Sequence, residues 1–394
     1  MKRRTFLQQS AVATLGGLLM PQLLKAFEHS GALGEGKIVV LLQLNGGNDG
    51  LNTIIPYENS LYYQARPRLA IAPNKVLPLA QGQGLHPALA PLQKLYEQGF
   101  LSILNSVGYP EPDRSHFRSM DIWHSASPAQ EHWQSGWLGR YLDLSCEKGC
   151  KAHWAIELDD TLSFALKGEK SKALALQDPQ RFYQLTQSPL LPTHTHQHAH
   201  EHPVSYLYQT LAETRSSAAY LYEQSKIKAR RAEYPAGALA KKLHSVAQLI
   251  QSGADTAVYY TSMTGFDTHV GQSQRHERLL QEYAAAMQAF VEDLQQSGHF
   301  GRVLLLTFSE FGRRVQQNAS NGTDHGAANN VWLISKNLKK AGFYNAAPDL
   351  ANLAQGDLRF EIDFRRLYAE VLQKHLNVAP KSILKEDFPL LGIL

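Results

Sequence analysis

The sequence predicts an α/β fold with a mostly parallel central sheet, and three observations carry that expectation. Two stretches, Ile38 to Leu44 and Val303 to Phe308, are almost continuous apolar runs, as expected of strands covered on both faces. Each stops abruptly in a loop rich in Gly, Asn and acidic residues, and an open α/β sheet collects its ligands beyond such strand ends. Long helical stretches, Val204 to Glu233, Ala236 to Ser252 and Gln272 to Ser297, separate the two runs. At 394 residues, 43% hydrophobic and 19% charged, the chain can bury a large core and has an ordinary globular composition.

The chain opens on MKRRTFLQQSAVATLGGLLM, with paired Arg3 and Arg4 and an apolar stretch from Ala11 to Met20 too short to span a bilayer. This resembles a twin-arginine export signal. Residues 1–35 are therefore expected to be export signal and leader. Residues 36–394 are expected to be a single domain with a helical, His-rich insertion at about 178–255. A periplasmic or secreted protein with no membrane span in its mature form follows, with the twin-arginine export machinery as a partner. The formal charge is +4, but Lys2, Arg3, Arg4 and Lys25 against Glu28 leave only +1 for everything after residue 30. No stripe of Lys and Arg interleaved with aromatics remains to bind nucleic acid.

The first strand runs into Asn45-Gly46-Gly47-Asn48-Asp49-Gly50, whose glycines let the backbone pass close to a ligand. A hairpin turn on Asp49-Gly50 is the alternative, but Leu51 to Pro56 does not read as a returning strand. After a proline-rich segment from Pro56 to Pro91, a short helix, Pro91 to Gln98, leads to a second strand, Phe100 to Val107. That strand ends in DRSHF, and Ser115 is placed to cap the helix Phe117 to Ser125. The same hydroxyl at a helix N-terminus, with Arg114 and Arg118 beside it, suits an anion. GWLGRYLD, from Gly136, reads as a loop entering a helix. Cys146 and Cys150, the two cysteines, suggest a disulfide closing a small loop in an oxidising compartment, where a cytosolic enzyme would suggest metal or redox chemistry. His194, His196, His198, His200 and His202 alternate, which fits either a metal-binding tract or an exposed low-complexity loop. A strand from Thr256 to Met263 ends in GFDTH, where Asp267 and His269 reach one metal if extended, or share a hydrogen bond without one. Val303 to Phe308 leads to Ser309-Glu310, then Arg313, and a polar loop returns Asp324-His325-Gly326. A strand from Asn330 to Ser335 follows, and DFRRLY, from Asp363, starts a C-terminal helix.

Taken in order, the Arg-Arg leader, NGGNDGLN, RSHFRSMD, GWLGRYLD, GFDTH, SEFGR, DHG and DFRRLYAEVL resemble the bacterial family known as domain of unknown function 1501. That family is regarded as a sulfatase-like branch of the alkaline phosphatase superfamily, with a three-layer α/β fold. The resemblance implies a phosphate or sulfate ester hydrolase acting on a small-molecule or carbohydrate ester. It also implies Asp49, Asp267, His269, Glu310 and His325 as metal ligands and Ser115 as nucleophile. The chain departs from the superfamily in having Phe311 where a His would follow the late-strand acid, which leaves His116, with Asp324, as additional ligands. It has neither Cys-x-Pro-x-Arg nor Ser-x-Pro-x-Arg, so a formylglycine sulfatase is not implied.

Mixed Asp, Glu and His ligands suit one or two divalent ions, zinc or manganese before calcium. Arg114 or Arg313 would offset charge on the transferred group. A binding or scaffold protein on the same fold, and a metal binder using the His tract, are the competing readings.

Overall fold

A computed structural model describes residues 36–145, 151–170, 173–188, 191, 203–227 and 232–394. The leader, the Cys146 and Cys150 pair and the His194 to His202 tract lie outside them. Strand β1, Ile38–Asn45, is the middle of the main sheet. A small antiparallel sheet follows from β2 (Ile54–Ile55), β3 (Leu77–Pro78) and β4 (Gly84–Leu85), interrupted by helix α1, Ser60–Ala65. The expected loop-rich segment thus has a scaffold of its own. Ile54 does not return along β1 but pairs with Leu85, so Asp49-Gly50 is not a hairpin turn.

The remaining main-sheet strands are β5 (Leu101–Gly108), β6 (Ala155–Glu157), β7 (Leu174–Ala175), β8 (Val258–Thr264), β9 (Val303–Phe308), β10 (Asn329–Ile334), β11 (Gly342–Phe343) and β12 (Ile362–Asp363). Their order is β11-β5-β10-β9-β1-β8-β6-β7, with β12 also paired to β5. Every pairing in this sheet is parallel except those of β10, which runs antiparallel to both neighbours.

The apolar runs are explained by what covers them. Val40 and Leu42 of β1 pack into one core with α2 (Ala90–Glu97), α7 (Ala238–Gln251) and α8 (Gln272–Gln296). Val39 and Leu41 point the other way, into a second core with α3 (His116–Ser125), α4 (Trp137–Ser145) and α9 (Phe364–Glu370). Helices on both faces make three layers, and no position on β1 can be polar without a partner. Helix α5 (Pro179–Thr186) packs on α6 (Pro203–Lys226), which in turn meets α7, and α10 (Pro380–Leu384) lies near the end of the chain. Among the described residues no helix is long and apolar enough to cross a membrane.

The parallel strands β1, β8 and β9 are in register, with Gln43 opposite both Ser262 and Phe308. Their carboxyl ends therefore deliver the 45–50, 265–269 and 309–314 loops to one edge. Two close approaches hold that edge together. Gly46 has φ +119°, and a Cβ there would lie 2.4 Å from the Asp267 amide nitrogen. A Cβ on Gly322 would lie 2.2 Å from the His269 carbonyl oxygen.

Candidate metal centre

At that edge His116, Asp267 and His325 bring one ligand atom each to within 4.8 Å of one another. His269 joins them, its Nε2 2.9 Å from His325 Nε2 and 3.2 Å from Asp267 Oδ1. Asp267 Oδ1 is 3.4 Å from His325 Nε2, and Oδ2 is 3.7 Å from His116 Nε2.

The other nitrogen of each ring decides what the cluster can bind. A carbonyl oxygen only accepts, so His325 Nδ1–H donates to the Arg114 carbonyl at 2.8 Å. His116 Nδ1 lies 2.9 Å from the Glu310 carboxylate, and His269 Nδ1 lies 3.1 Å from the Asp324 carboxylate. With an acceptor on every Nδ1, each neutral imidazole carries its lone pair on Nε2, and all three lone pairs face Asp267. This is the outer-shell arrangement that orients metal-bound histidines. Two such lone pairs 2.9 Å apart repel unless a proton or a cation lies between them. Three nitrogens and a carboxylate suit the coordination of zinc or manganese, so the donor set fits the implied ion. Asp267 is nearly half exposed, which leaves the cluster open to solvent.

Electrostatics matches this geometry. Partial burial opposes the charge on Asp267, but the hydrogen bond and charge of Arg313, then His325 and His269, hold its carboxyl at about 2. The hydrogen bond to Glu310 raises the His116 pKa, whereas desolvation lowers that of His325.

Several expected roles shift. Asp49 does not join the cluster: wholly buried, it pairs with Arg66 at 2.6 Å and accepts from Gln272. Burial alone would raise its pKa, but the Arg66 charge and hydrogen bond outweigh that and lower it. Glu310 stands one step behind the cluster, also fully buried, accepting from the Gly46 amide at 2.8 Å as well as meeting His116. Asp324 stands likewise behind His269. His116, expected only as an additional ligand, is central. Arg313 cannot offset charge on a bound group, because its buried guanidinium is already engaged by Asp267 and the carbonyls of Gly46, Gly47, Phe266 and Thr323. Arg114 is different: its side chain is partly exposed and held from one side by Asp357. Ser115 occupies the N-cap position of α3 yet makes no capping hydrogen bond with its side chain, and it is exposed. The capping expectation therefore fails, and the hydroxyl is unused by the helix.

A family model described as "Protein of unknown function (DUF1501)" matches residues 103–384. The chain belongs to this family. No match was found among curated proteins. Among solved structures, the DUF1501 chain is similar to a sulfatase, PsFucS1, from Pseudoalteromonas sp. at 11% identity, covering 96% of this chain and 72% of that one, TM-score 0.39. It is also similar to a protein in the alkaline phosphatase superfamily from Vibrio parahaemolyticus at 8% identity, covering 89% and 70%, TM-score 0.40. A third is the C-terminal periplasmic domain of EcEptC from Escherichia coli in complex with Zn, at 10% identity, covering 78% and 75%, TM-score 0.38. In this DUF1501 protein, DRSH at the end of β5, GFDTH at the end of β8 and DHG after β9 supply the four converging side chains.

Proposed function

We propose that this protein is an exported, metal-dependent hydrolase of phosphate or sulfate esters. The observation that carries the reading is the convergence of three imidazole Nε2 atoms on the open Asp267 carboxylate, one residue away from the unused hydroxyl of Ser115. His116, Asp267, His269 and His325 would hold one divalent ion, zinc or manganese, which when bound supplies a Lewis acid to polarise the ester. Glu310, Asp324 and the Arg114 carbonyl keep the three rings turned for that task. Ser115 Oγ is the nucleophile: it bonds to phosphorus or sulfur while its proton passes to the ester oxygen, which leaves with the electron pair of the broken bond, and water then cleaves the covalent intermediate, one of its protons restoring the serine hydroxyl. The Arg114 guanidinium, beside Ser115, answers the negative charge of the transferred group.

Ser115→Ala tests the nucleophile. Turnover of an aryl phosphate or sulfate should fall to background, while the melting temperature stays within a degree or two, because the lost hydroxyl caps nothing. Full turnover in that variant would remove Ser115 from the reaction.

Export is part of the same reading, resting on the paired arginines near the start of the chain. The twin-arginine receptor reads guanidinium groups rather than charge alone. Arg3→Lys together with Arg4→Lys should therefore hold the precursor in the cytoplasm, and undiminished delivery to the periplasm would point to another route.

A further inference from the structure

A cleft of about 760 Å³ opens beside the centre, walled by Pro112, Ala327, Ala354, Leu358 and Phe360, with Arg114 among the residues lining it. It neighbours the centre through Arg114 and Ala327. Arg114 gives its side chain to the cleft and its carbonyl to His325, and Ala327 follows His325 by two positions. The volume lies in the range that holds a drug-sized organic molecule, far more than a phosphate or sulfate group needs.

Several polar groups of the lining make hydrogen bonds within the protein. Asp357 holds Arg114, Asp113 accepts from the Ser115 amide at 2.6 Å, and Glu111 accepts from Gln130. Arg359 Nε donates to Asn352 at 3.1 Å. Arg114 Nε and Asp357 Oδ1 are left without a hydrogen-bond partner, yet the larger part of the lining surface is apolar. Phe117 and Val270, 81% and 70% exposed, directly follow the cluster residues His116 and His269.

We infer that the cleft seats the alcohol portion of the ester, and that this portion is bulky and mostly apolar, of the fused-ring aryl class. The inference rests on the hydrolase reading for the word ester, but it is tested by binding alone. The probes are 2-naphthylmethylphosphonate and methylphosphonate, with the corresponding sulfonates, titrated into the zinc-loaded protein. The wild type should bind the naphthyl probe at least about tenfold more tightly than the methyl probe, from the extra apolar area removed from water. Ala354→Trp, which fills the cleft, should bring that ratio close to one, and Phe360→Ala, which removes a wall, should lower it. Equal binding of the two probes by the wild type, or a ratio unmoved in both variants, overturns the inference. Turnover of phenyl phosphate and phenyl sulfate, measured in parallel, separates the two readings. A wild type that turns over either ester without naphthyl preference keeps the hydrolase and loses the cleft assignment. Naphthyl preference that is lost on plugging, with no turnover, does the reverse.

Discussion

His325→Ala should strip zinc or manganese from the protein and lower ester hydrolysis by roughly a thousandfold, since a Lewis acid stabilises developing charge by several kcal/mol and each factor of ten is about 1.4 kcal/mol. The side chain is partly exposed, so the fold should survive. Glu310→Gln should be milder, about 10- to 100-fold in metal affinity, because it removes no converging side chain and its amide oxygen can still accept from Gly46 while the orientation of the His116 ring is disturbed. Metal analysis of the dialysed proteins together with initial rates would check both. Equal metal content in wild type and His325→Ala would place the ion elsewhere.

Mild acid should unfold the protein, through histidines that have nothing to do with the centre. Burial holds His124, His153 and His375 down at about 4 and His276 at about 3, against 6.5 for a free imidazole. Below 6.5 the unfolded chain binds protons at these sites and the folded chain does not, so stability is full above about pH 7 and falls as the pH drops toward 4. At pH 5 each group contributes a loss of about 2 kcal/mol, and four together approach the whole stability of an ordinary domain, about 5–15 kcal/mol. Glu157 opposes them: desolvation pushes its carboxyl up to about 7, so its protonated form favours the folded state as pH falls. His116, raised by its hydrogen bond to Glu310, and Asp357, raised by desolvation, act in the same sense as Glu157, whereas desolvation lowers His86, His299 and His325 and adds to the loss. Thermal melts from pH 8 to pH 5 should show a steep fall, reduced in His375→Gln, whose amide can still donate to the Ile38 carbonyl. A melting temperature flat across that range would mean that these histidines are solvated.

What the sequence made legible follows from burial. Strands covered on both faces are dominated by apolar residues, with few polar positions to blur them, so β1, β5, β8, β9 and β10 were found within two residues of their ends. The edge strands β6 and β7, three and two residues long, carry too little pattern to be read. The direction of β10 was equally hidden, because an apolar run reads the same parallel or antiparallel. The rule that ligands gather at carboxyl strand ends pointed to the edge where Asp267, His269 and His325 lie, whereas His116 entered only as an additional ligand through the family resemblance. The rule could not say which acids face outward. Asp49 and Glu310 sit at strand ends as Asp267 does, but Arg66, 17 residues from Asp49 in an irregular segment, claims the first, and His116 and the Gly46 amide claim the second. Nothing in the spacing of those partners announces the pairing.

The buried guanidinium of Arg313 ties together three loops that would otherwise move separately. It donates to Gly47 at 2.6 Å, to Thr323 at 2.8 Å and to Phe266 at 3.0 Å, and to Asp267 itself at 2.8 Å. These bonds do not wait for an ion. The converging side chains are therefore preorganised by a permanent organic cation, and an arriving metal would have little backbone entropy to remove and mainly its own hydration shell to shed. Capture by such a centre is set by ligand exchange at the ion, not by closure of the protein around it. An ammonium in place of the planar fork would keep the charge and lose the bracket, turning a fixed cradle into one that must assemble each time it fills.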